Sequence, residues 1–329
     1  MSAAACFFLD PSNPSAIERR LHELGWFTDD RVRSAERIGD GNMNLTVRVR
    51  LGRRTVVVKQ ARPWVEKYPS IAAPVGRAEV EAAFYRAVVA EPAVSGRMPA
   101  FLGADAASHL LVLEDVPDAH DLTAMYRGER LESADVEELA EYLTALHAIE
   151  AAPEEREIFR NREMRALNHA HQYAIPLDPA NGLTLDRITP GLDTLAAGLR
   201  RDAAYCARVA ELGALYLADG ATLLHGDFFP GSWLHTPLGL AAIDPEFCFL
   251  GPAEYDLGVL MAHFLFTDHE ALLPVFRAMY GGRCDWRLVG AFAGAELMRR
   301  VIGVAQLPLQ ADLERKRDWL EQSGELVCG

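Results

Sequence analysis

The sequence predicts an α+β fold in two lobes: a small β-rich lobe over residues 1–116 and a larger, mainly helical lobe over residues 117–329. Three observations lead to this prediction. Apolar and polar residues alternate over residues 45–49, and after a Gly-Arg-Arg turn an apolar run follows over residues 55–59, which is the pattern of a β-hairpin. Helical periodicity dominates the second lobe. A short β-like stretch, residues 222–249, interrupts those helices.

The remaining elements of the first lobe follow from local signals. Residues 14–25 are predicted to form a helix, with Ser15 as its N-cap and Gly25 just after its last turn. A second helix is predicted within residues 77–91, where apolar residues recur at helical spacing. The apolar run in residues 109–116 indicates a buried strand.

In the second lobe, three helical patterns precede the β-like stretch, over residues 133–149, 154–173 and 194–218. Further helices are predicted after it, up to the end of the chain. The sequence shows no internal repeat, no low-complexity tract and no heptad run.

The charge balance argues against nucleic acid as a partner. Asp and Glu number 47 against 33 Lys and Arg, a formal net charge of −14. Such a surface repels phosphate backbones. A nucleotide-binding site in this chain therefore needs local positive groups.

Cysteine usage and hydropathy predict a cytoplasmic protein that does not cross a membrane. The five cysteines are scattered and form no C-x-x-C pair, so neither a zinc site nor a disulfide framework is expected. The N-terminus has no basic region of the kind found in signal peptides. The most apolar later stretch, residues 257–266, is too short to span a bilayer.

Two acidic loops carry the strongest chemical signal. His225-Gly226-Asp227 follows a short apolar run, and Asp244-Pro245-Glu246 begins 17 residues after Asp227, with a hairpin between them. Phosphoryl transfer needs one carboxylate to accept the proton of the attacking hydroxyl and another to hold Mg²⁺ against the phosphates. Asp227 fits the first role and Asp244 the second. Ser232, five residues after Asp227, is a further candidate for the metal, and His225 is expected to pack rather than react.

Glu246 is expected to share the metal with Asp244. In an extended segment, residues two apart point to the same side, and Mg²⁺ prefers hard oxygen ligands. Any one of these acidic residues could instead cap a turn, but the two motifs together on linked loops favour a site.

Lys59, at the end of the second hairpin strand, is predicted to bind the α- and β-phosphates of a nucleotide. Such a lysine needs a carboxylate partner on a following helix. Glu81 is the first choice for that partner and Glu79 the second. An isolated lysine at a strand end commonly reaches into water instead, and only the later acidic loops favour the phosphate role.

Two further segments are candidates for nucleotide binding. A Gly-rich turn before the hairpin can present backbone N–H groups to phosphate, although such turns join strands in many proteins. Residues Glu114 and Val116, after the last strand of the first lobe, lie where the lobes are expected to join, and their backbone groups could pair with adenine. The candidates in the turn are Gly39, Asp40, Gly41, Asn42 and Asn44.

Together these residues resemble the aminoglycoside phosphotransferase and choline kinase superfamily, which has a protein-kinase-like fold. Within it the similarity is strongest to the methylthioribose kinase family, and it runs from about residue 35 to residue 310. The matching motifs are GDGNMN, the strand lysine, HGD with its serine, and the D-x-E acidic loop. The resemblance implies ATP and Mg²⁺ as cofactors. It also implies that Asp256 anchors the catalytic loop through hydrogen bonds.

The resemblance further implies a pair of arginines that contact the acceptor, here Arg299 and Arg300. Consecutive helical residues point about 100° apart, so the two are not expected to serve one spot in the same way. The catalytic loop reads HGDFFPGS where that family usually has HGDLHTGS. Phe228, Phe229 and Trp233 are therefore expected to make the rim of the acceptor pocket aromatic, with Phe229 and Trp233 contacting the acceptor.

The function predicted is an ATP-dependent O-phosphotransferase that acts on a small sugar-containing molecule, with a methylthioribose-like pentose as the first choice. The alternative is a phosphotransferase that inactivates an aminoglycoside or sugar-nucleoside antibiotic. The partners expected are that small molecule and neither nucleic acid nor membrane, and a homodimer is left open. A pseudokinase is disfavoured by Lys59, Asp227 and Asp244, and a protein kinase by the absence of an APE pattern after the acidic loop.

Overall fold

A computed structural model describes residues 7–39 and 43–329. The chain divides into two compact units, one that ends at Asp118 and one that begins at Ala119. Both units contain helices and antiparallel strands, which confirms the predicted α+β class. Among the helices of the described residues, none is long and apolar enough to cross a membrane.

The first unit is built on a five-stranded antiparallel sheet. The strands of this unit are β1 (Ser34–Arg37), β2 (Leu45–Arg50), β3 (Thr55–Gln60), β4 (Trp64–Val65), β5 (Tyr68–Ala72), β6 (Phe101–Asp105) and β7 (Leu110–Glu114). The order in the sheet is β1-β2-β3-β7-β6, and β4 and β5 form a separate small hairpin. The helices are α1 (Pro14–Glu23), α2 (Arg77–Val88) and α3 (Pro92–Ser95).

Burial explains why this sheet forms. Leu45, Val47 and Val49 alternate with more exposed residues along β2, as predicted, and they enter one apolar core with Ile17 and Leu21 of α1. The predicted hairpin of β2 and β3 is confirmed, with Val47 opposite Val58. Strands β1 and β6 were not predicted from the sequence.

The second unit is mainly helical. Its helices are α4 (Ser133–His147), α5 (Arg162–His169), α6 (Leu192–Arg201), α7 (Ala203–Leu217), α8 (Glu254–Phe266), α9 (Leu273–Met279), α10 (Trp286–Ile302) and α11 (Leu313–Cys328). Its strands are β8 (His120–Asp121), β9 (Thr222–Leu224), β10 (Trp233–Thr236), β11 (Gly239–Ala242) and β12 (Phe249–Gly251). β9 pairs with β12, and β10 lies between β8 and β11. The predicted β-like stretch is thus confirmed.

Three local predictions are wrong. The N-cap of α1 is Asn13, whose side chain accepts from the Ala16 N–H, and not Ser15. The pattern over residues 194–218 is two helices, because Asp202 is extended and its carboxylate caps the second one. The pattern over residues 154–173 breaks at Asn161, which has a left-handed backbone (φ 41°).

Candidate active site

The two acidic loops of the second unit are held together by hydrogen bonds from one side chain and from the backbone. β9 leads into His225-Gly226-Asp227, and β11 leads into Asp244. The imidazole Nε2 of His225 donates to the carbonyl of Ile243 at 2.9 Å. The Ile243 N–H in turn donates to the carbonyl of Ser232 at 3.0 Å. Strand pairing on both sides therefore fixes where each loop begins.

Gly226 brings the backbones of the two loops into contact. Its φ is +85°, and a Cβ at this position would lie 2.1 Å from the carbonyl oxygen of Phe247. No side chain fits that space, because Cβ atoms essentially never approach a backbone atom below 3.0 Å. The glycine of the HGD motif is thus required by packing as well as by backbone conformation.

Replacing Gly226 with alanine is expected to destabilise the protein by about 2–5 kcal/mol, the sum of the left-handed backbone cost and an overpacking cost. Gly128→Ala is the matched control, because Gly128 also has a positive φ (+97°) but has no atom within 4 Å of its would-be Cβ. Its cost is expected to be only about 1–2 kcal/mol. Urea unfolding of both variants measures the difference, and equal losses would contradict the packing argument.

Asp256 of α8 anchors the start of the catalytic loop, as the resemblance implied. Its buried carboxylate accepts from the backbone N–H groups of His225 at 2.7 Å and Gly226 at 2.9 Å. Burial lowers the pKa of His225, against the pull of Asp256 and the Ile243 carbonyl, so this imidazole stays neutral. The expectation that His225 packs and hydrogen-bonds is confirmed.

Asp227 presents its carboxylate to two arginines. Oδ1 lies 3.5 Å from Nη2 of Arg299 and 3.5 Å from Nη2 of Arg300, and 22% of the side chain is exposed. Burial raises the pKa of Asp227, and Arg300 and Arg299 oppose that shift. The structure thus brings together the predicted base and the predicted acceptor-binding pair.

Both arginines are buried and both bind Glu296, one turn earlier in α10. Arg299 donates through Nε to Oε2 and through Nη2 to Oε1 at 2.9 Å, and Arg300 donates through Nε to Oε1 at 2.8 Å. The sequence predicts that the two do not serve one spot in the same way. Their long side chains do converge on the same carboxylates, but Arg299 binds Glu296 through two nitrogens and Arg300 through one. Sequence reasoning missed Glu296, although its i, i+3 and i, i+4 spacing to the two arginines is a recognisable helix signal.

The aromatic residues of the catalytic loop occupy different environments. Phe229 is half-buried, with the Arg300 guanidinium 5.0 Å from its ring centre. Phe228 and Trp233 are fully buried, where Phe228 stacks on Tyr142. The predicted rim position is therefore wrong for Phe228 and Trp233, and a fully buried Trp233 is not available to an acceptor.

The metal candidates offer hard oxygen donors, but not in the geometry expected. Asp244 has a left-handed backbone (φ 64°, ψ 49°), and residues Pro245–Phe247 form a 3₁₀ turn rather than an extended segment. Glu246 is buried, Asp244 is half-buried, and the Ser232 hydroxyl donates to the Asp227 carbonyl at 3.0 Å. Within residues 7–39 and 43–329, no three His, Cys, Asp or Glu side chains form a metal cluster. Two carboxylates and a hydroxyl still fit Mg²⁺, which commonly takes one or two protein carboxylates beside phosphate oxygens.

In the first unit, Lys59 of β3 forms a buried ion pair with Glu81 of α2. Nζ donates to Oε1 at 2.6 Å, and 3% or less of each side chain is exposed. The predicted pairing is confirmed, whereas the alternative partner, Glu79, is exposed. Val80 and Phe84 are buried around Glu81, so the packing of α2 sets the position of that carboxylate.

The Gly-rich turn is described only in part. Asp40, Gly41 and Asn42 lie outside the described residues, while Gly39 has a φ of +68° and Asn44 is buried. Sequence reasoning missed Arg77, a fully buried arginine one helical turn before Glu81. It donates to Oδ1 of Asn44 at 2.8 Å and to the carbonyl of Met43 at 2.9 Å. One helix thus holds both the end of this turn and the partner of Lys59.

Glu114 and Val116 lie at the end of β7 and just beyond it. Glu114 is the last residue of β7, and its N–H donates to the carbonyl of Ala100 at 2.8 Å. Val116 is half-buried just beyond the strand. Their pairing with adenine stays a prediction.

Two features define a phosphotransferase of the kinase-like class. The first unit has a buried ion pair between a lysine of its antiparallel sheet and a glutamate of helix α2. The second unit carries an anchored HGD loop and a second acidic loop. The chain belongs to the phosphotransferase enzyme family, whose family model matches residues 34–292. The predicted superfamily and the predicted small-molecule kinase class are thereby confirmed.

Curated relatives and solved structures agree with this assignment. The chain is 30% identical to the methylthioribose kinase of Exiguobacterium sibiricum, over 92% of this chain and 87% of the relative. It is 26% identical to that of Yersinia enterocolitica, over 87% and 83%. The fold is similar to spectinomycin phosphotransferase solved with ADP and spectinomycin (TM-score 0.53, 13% identity, 94% and 97% coverage). It is also similar to a choline kinase from Streptococcus pneumoniae (TM-score 0.51, 14% identity, 95% and 98% coverage). These likenesses confirm the predicted kinase-like fold.

Proposed function

We propose that this phosphotransferase moves the γ-phosphate of ATP to a hydroxyl of a methylthioribose-like pentose. The observation that carries the proposal is the arrangement around Asp227, whose Oδ1 lies 3.5 Å from both Arg299 and Arg300. A base beside two fixed donors is suited to an acceptor with several neighbouring hydroxyls. Two relatives that match most of the chain are named methylthioribose kinase, and this supports the same substrate.

In this proposal Asp227 accepts the proton of the attacking hydroxyl. The hydroxyl oxygen then bonds to the γ-phosphorus as the bond from that phosphorus to the β-γ bridging oxygen breaks, which releases ADP. Arg299 and Arg300 donate to other oxygens of the acceptor and so orient the reacting hydroxyl towards Asp227. Phe229, beside Arg300, contacts the apolar side of the sugar.

The nucleotide is assigned to residues of the first unit. Lys59, held by Glu81, donates to the α- and β-phosphates. The Gly-rich segment of residues 39–44 is proposed to bind the phosphates, and Arg77 fixes its last two residues, Met43 and Asn44. Backbone groups of Glu114 and Val116 pair with adenine.

Asp244 and Glu246, with the hydroxyl of Ser232, would hold Mg²⁺. Carboxylate and hydroxyl oxygens are the donors that this ion prefers. When bound, the ion neutralises charge on the phosphate oxygens.

We place the reaction in the cytoplasm. The support is the state of the thiols, since Cys206, Cys284 and Cys328 are free in the described part of the chain. Free thiols are usual in a reducing compartment.

A coupled assay of ATP consumption across a panel of acceptors tests the proposed function. The panel contains methylthioribose, ribose, a second simple pentose, an aminoglycoside and a nucleoside antibiotic. Methylthioribose or another pentose is expected to support turnover with a kcat/KM of at least about 10⁴ M⁻¹s⁻¹. Product analysis must show one phosphate added for each ATP consumed, and reactions without acceptor give the background. Transfer confined to the antibiotics would overturn the proposal in favour of the resistance function.

A further inference from the structure

A chain of buried polar groups leads from the helical core of the second unit to Asp227. Its first members are Tyr126, in a 3₁₀ turn that follows β8, and His263 of α8, whose Nδ1 lies 2.7 Å from the tyrosine oxygen. His263 Nε2 lies 3.3 Å from Oε1 of Glu296. Glu296 then binds Arg299 and Arg300, which face Asp227. We call Tyr126, His263 and Glu296 the Glu296 cluster.

From Tyr126 through His263 to Glu296, each group donates a hydrogen bond to the next. Burial lowers the pKa of His263 to about 4, so its ring is neutral and carries one N–H. Burial raises the pKa of Tyr126 well above its usual range, so its O–H remains a donor. Since the carboxylate of Glu296 can only accept, the ring N–H lies on Nε2 and points at Glu296. The tyrosine O–H then donates to Nδ1.

Glu296 stays ionised at the centre of the cluster. Burial works against its charge, but Arg299 and Arg300, with help from His263, hold its pKa well below the usual range. Its two oxygens accept four N–H donors: two from Arg299, one from Arg300 and one from His263. Arg299 and Arg300 each have their Nε atom bonded to Glu296, and Nη2 of Arg299 also donates one N–H to Oε1. The Nη2 atoms of both arginines lie 3.5 Å from Oδ1 of Asp227, and Nη2 of Arg299 keeps its second N–H for that contact.

A buried ion cluster of this kind is not expected to be more stable than a well-packed apolar core of the same volume. Buried ion clusters are frequently no more stable than hydrophobic replacements, because three charged groups must leave water. Stability alone therefore does not account for a carboxylate at position 296. What the carboxylate adds is a fixed orientation for two long side chains that would otherwise have many rotamers.

We propose that Glu296 is a positioning residue for acceptor binding, which sets the two guanidinium groups at Asp227, and that His263 and Tyr126 in turn orient Glu296. This inference rests on the proposed function, in which Arg299 and Arg300 bind the acceptor. It assigns no contact with the acceptor to the Glu296 cluster.

The test measures the Michaelis constant for the acceptor and the Michaelis constant for ATP in each variant. Glu296→Gln keeps the shape of the side chain but removes its charge, and its amide nitrogen cannot accept from arginine. The variant is expected to lower kcat/KM for the acceptor by about 100-fold, mainly through the acceptor KM. The KM for ATP is expected to stay within about twofold of the wild-type value.

Asp219→Asn is the matched control. Asp219 also pairs with a buried arginine of the second unit, Arg165, at 3.3 Å, but that arginine bonds to backbone carbonyls of residues 160, 216 and 218 instead of facing Asp227. This variant is expected to lose thermal stability without a change in either KM. A purely structural role for Glu296 predicts that Glu296→Gln behaves like Asp219→Asn.

If Glu296→Gln does not fold, Tyr126→Phe provides a second test of the inference. It removes a single O–H that is three hydrogen bonds away from the arginines, and a rise of about three- to tenfold in acceptor KM alone is expected. The inference is overturned if every folded variant keeps the wild-type acceptor KM, or if the KM values of both substrates rise together. A wild-type enzyme that transfers phosphate to no acceptor of the panel contradicts the proposed function itself, and this inference falls with it.

Discussion

Asp227→Asn is expected to lower kcat by about 10²- to 10⁴-fold, the usual contribution of a positioned general base. Asparagine has the same shape as aspartate but cannot take the proton of the attacking hydroxyl. The acceptor KM is expected to change little, since Arg299 and Arg300 remain held by Glu296 when the carboxylate at position 227 is gone. A loss in kcat without a loss in acceptor binding is thus the signature of the assigned role.

The measurement is steady-state kinetics with both substrates varied, together with thermal unfolding. Asp268→Asn is the control, because Asp268 also pairs with an arginine of the second unit, Arg315, but is largely exposed. That variant is expected to keep wild-type kinetics. If Asp227→Asn retained more than about a tenth of the wild-type kcat, Asp227 would not be the base.

The parts of the site that local sequence determines were predictable. An apolar run that ends in His-Gly-Asp, a hairpin, and a second acidic motif locate the two loops, and the structure forms them where β9 and β11 end. The role of Asp256 as an anchor was implied by resemblance and is confirmed by its two backbone hydrogen bonds. Lys59 and Glu81 were predicted to pair because one ends an apolar strand and the other lies beside the Val80/Phe84 face of the next helix, and the structure forms that pair.

The convergence of Arg299 and Arg300 was not predictable from helix geometry. A helical wheel gives the direction in which each side chain leaves the backbone, whereas the path of a long side chain depends on what is buried beside it. Here that neighbour is Glu296, oriented by His263 and Tyr126 from two other segments of the chain. Such a set becomes visible only when the tertiary structure brings distant segments together.

The aromatic residues of the catalytic loop illustrate a second limit of prediction from sequence. Phe228, Phe229 and Trp233 are close in sequence and equally apolar, so composition predicts one environment for all three. In the structure Phe228 and Trp233 enter the core beside Tyr142 and Phe264, and only Phe229 remains half-buried. The 3₁₀ turn Pro230–Ser232 between them changes the direction of the chain, and that turn was not predicted.

Lys59→Met is expected to reduce kcat/KM for ATP by about 10²- to 10³-fold, as the loss of one charged donor from a phosphate site does. It is also expected to destabilise the protein by about 3 kcal/mol, because the variant removes one partner of a buried ion pair. Glu81→Gln is expected to have a similar cost in stability. Its effect on activity should be smaller, since Lys59 itself is retained.

The double variant Lys59→Met, Glu81→Leu separates the two roles of the pair. Both charges are removed, so the penalty for a buried unpaired charge disappears, and stability is expected to return to within about 1 kcal/mol of the wild type or above it. Activity is expected to remain as low as in Lys59→Met. Urea unfolding and ATP kinetics on the wild type, Lys59→Met, Glu81→Leu and the double variant complete the double-mutant cycle. Activity that recovered along with stability would mean that the pair serves the fold of the first unit and not the nucleotide, whereas stability recovered without activity would locate its function at the phosphates.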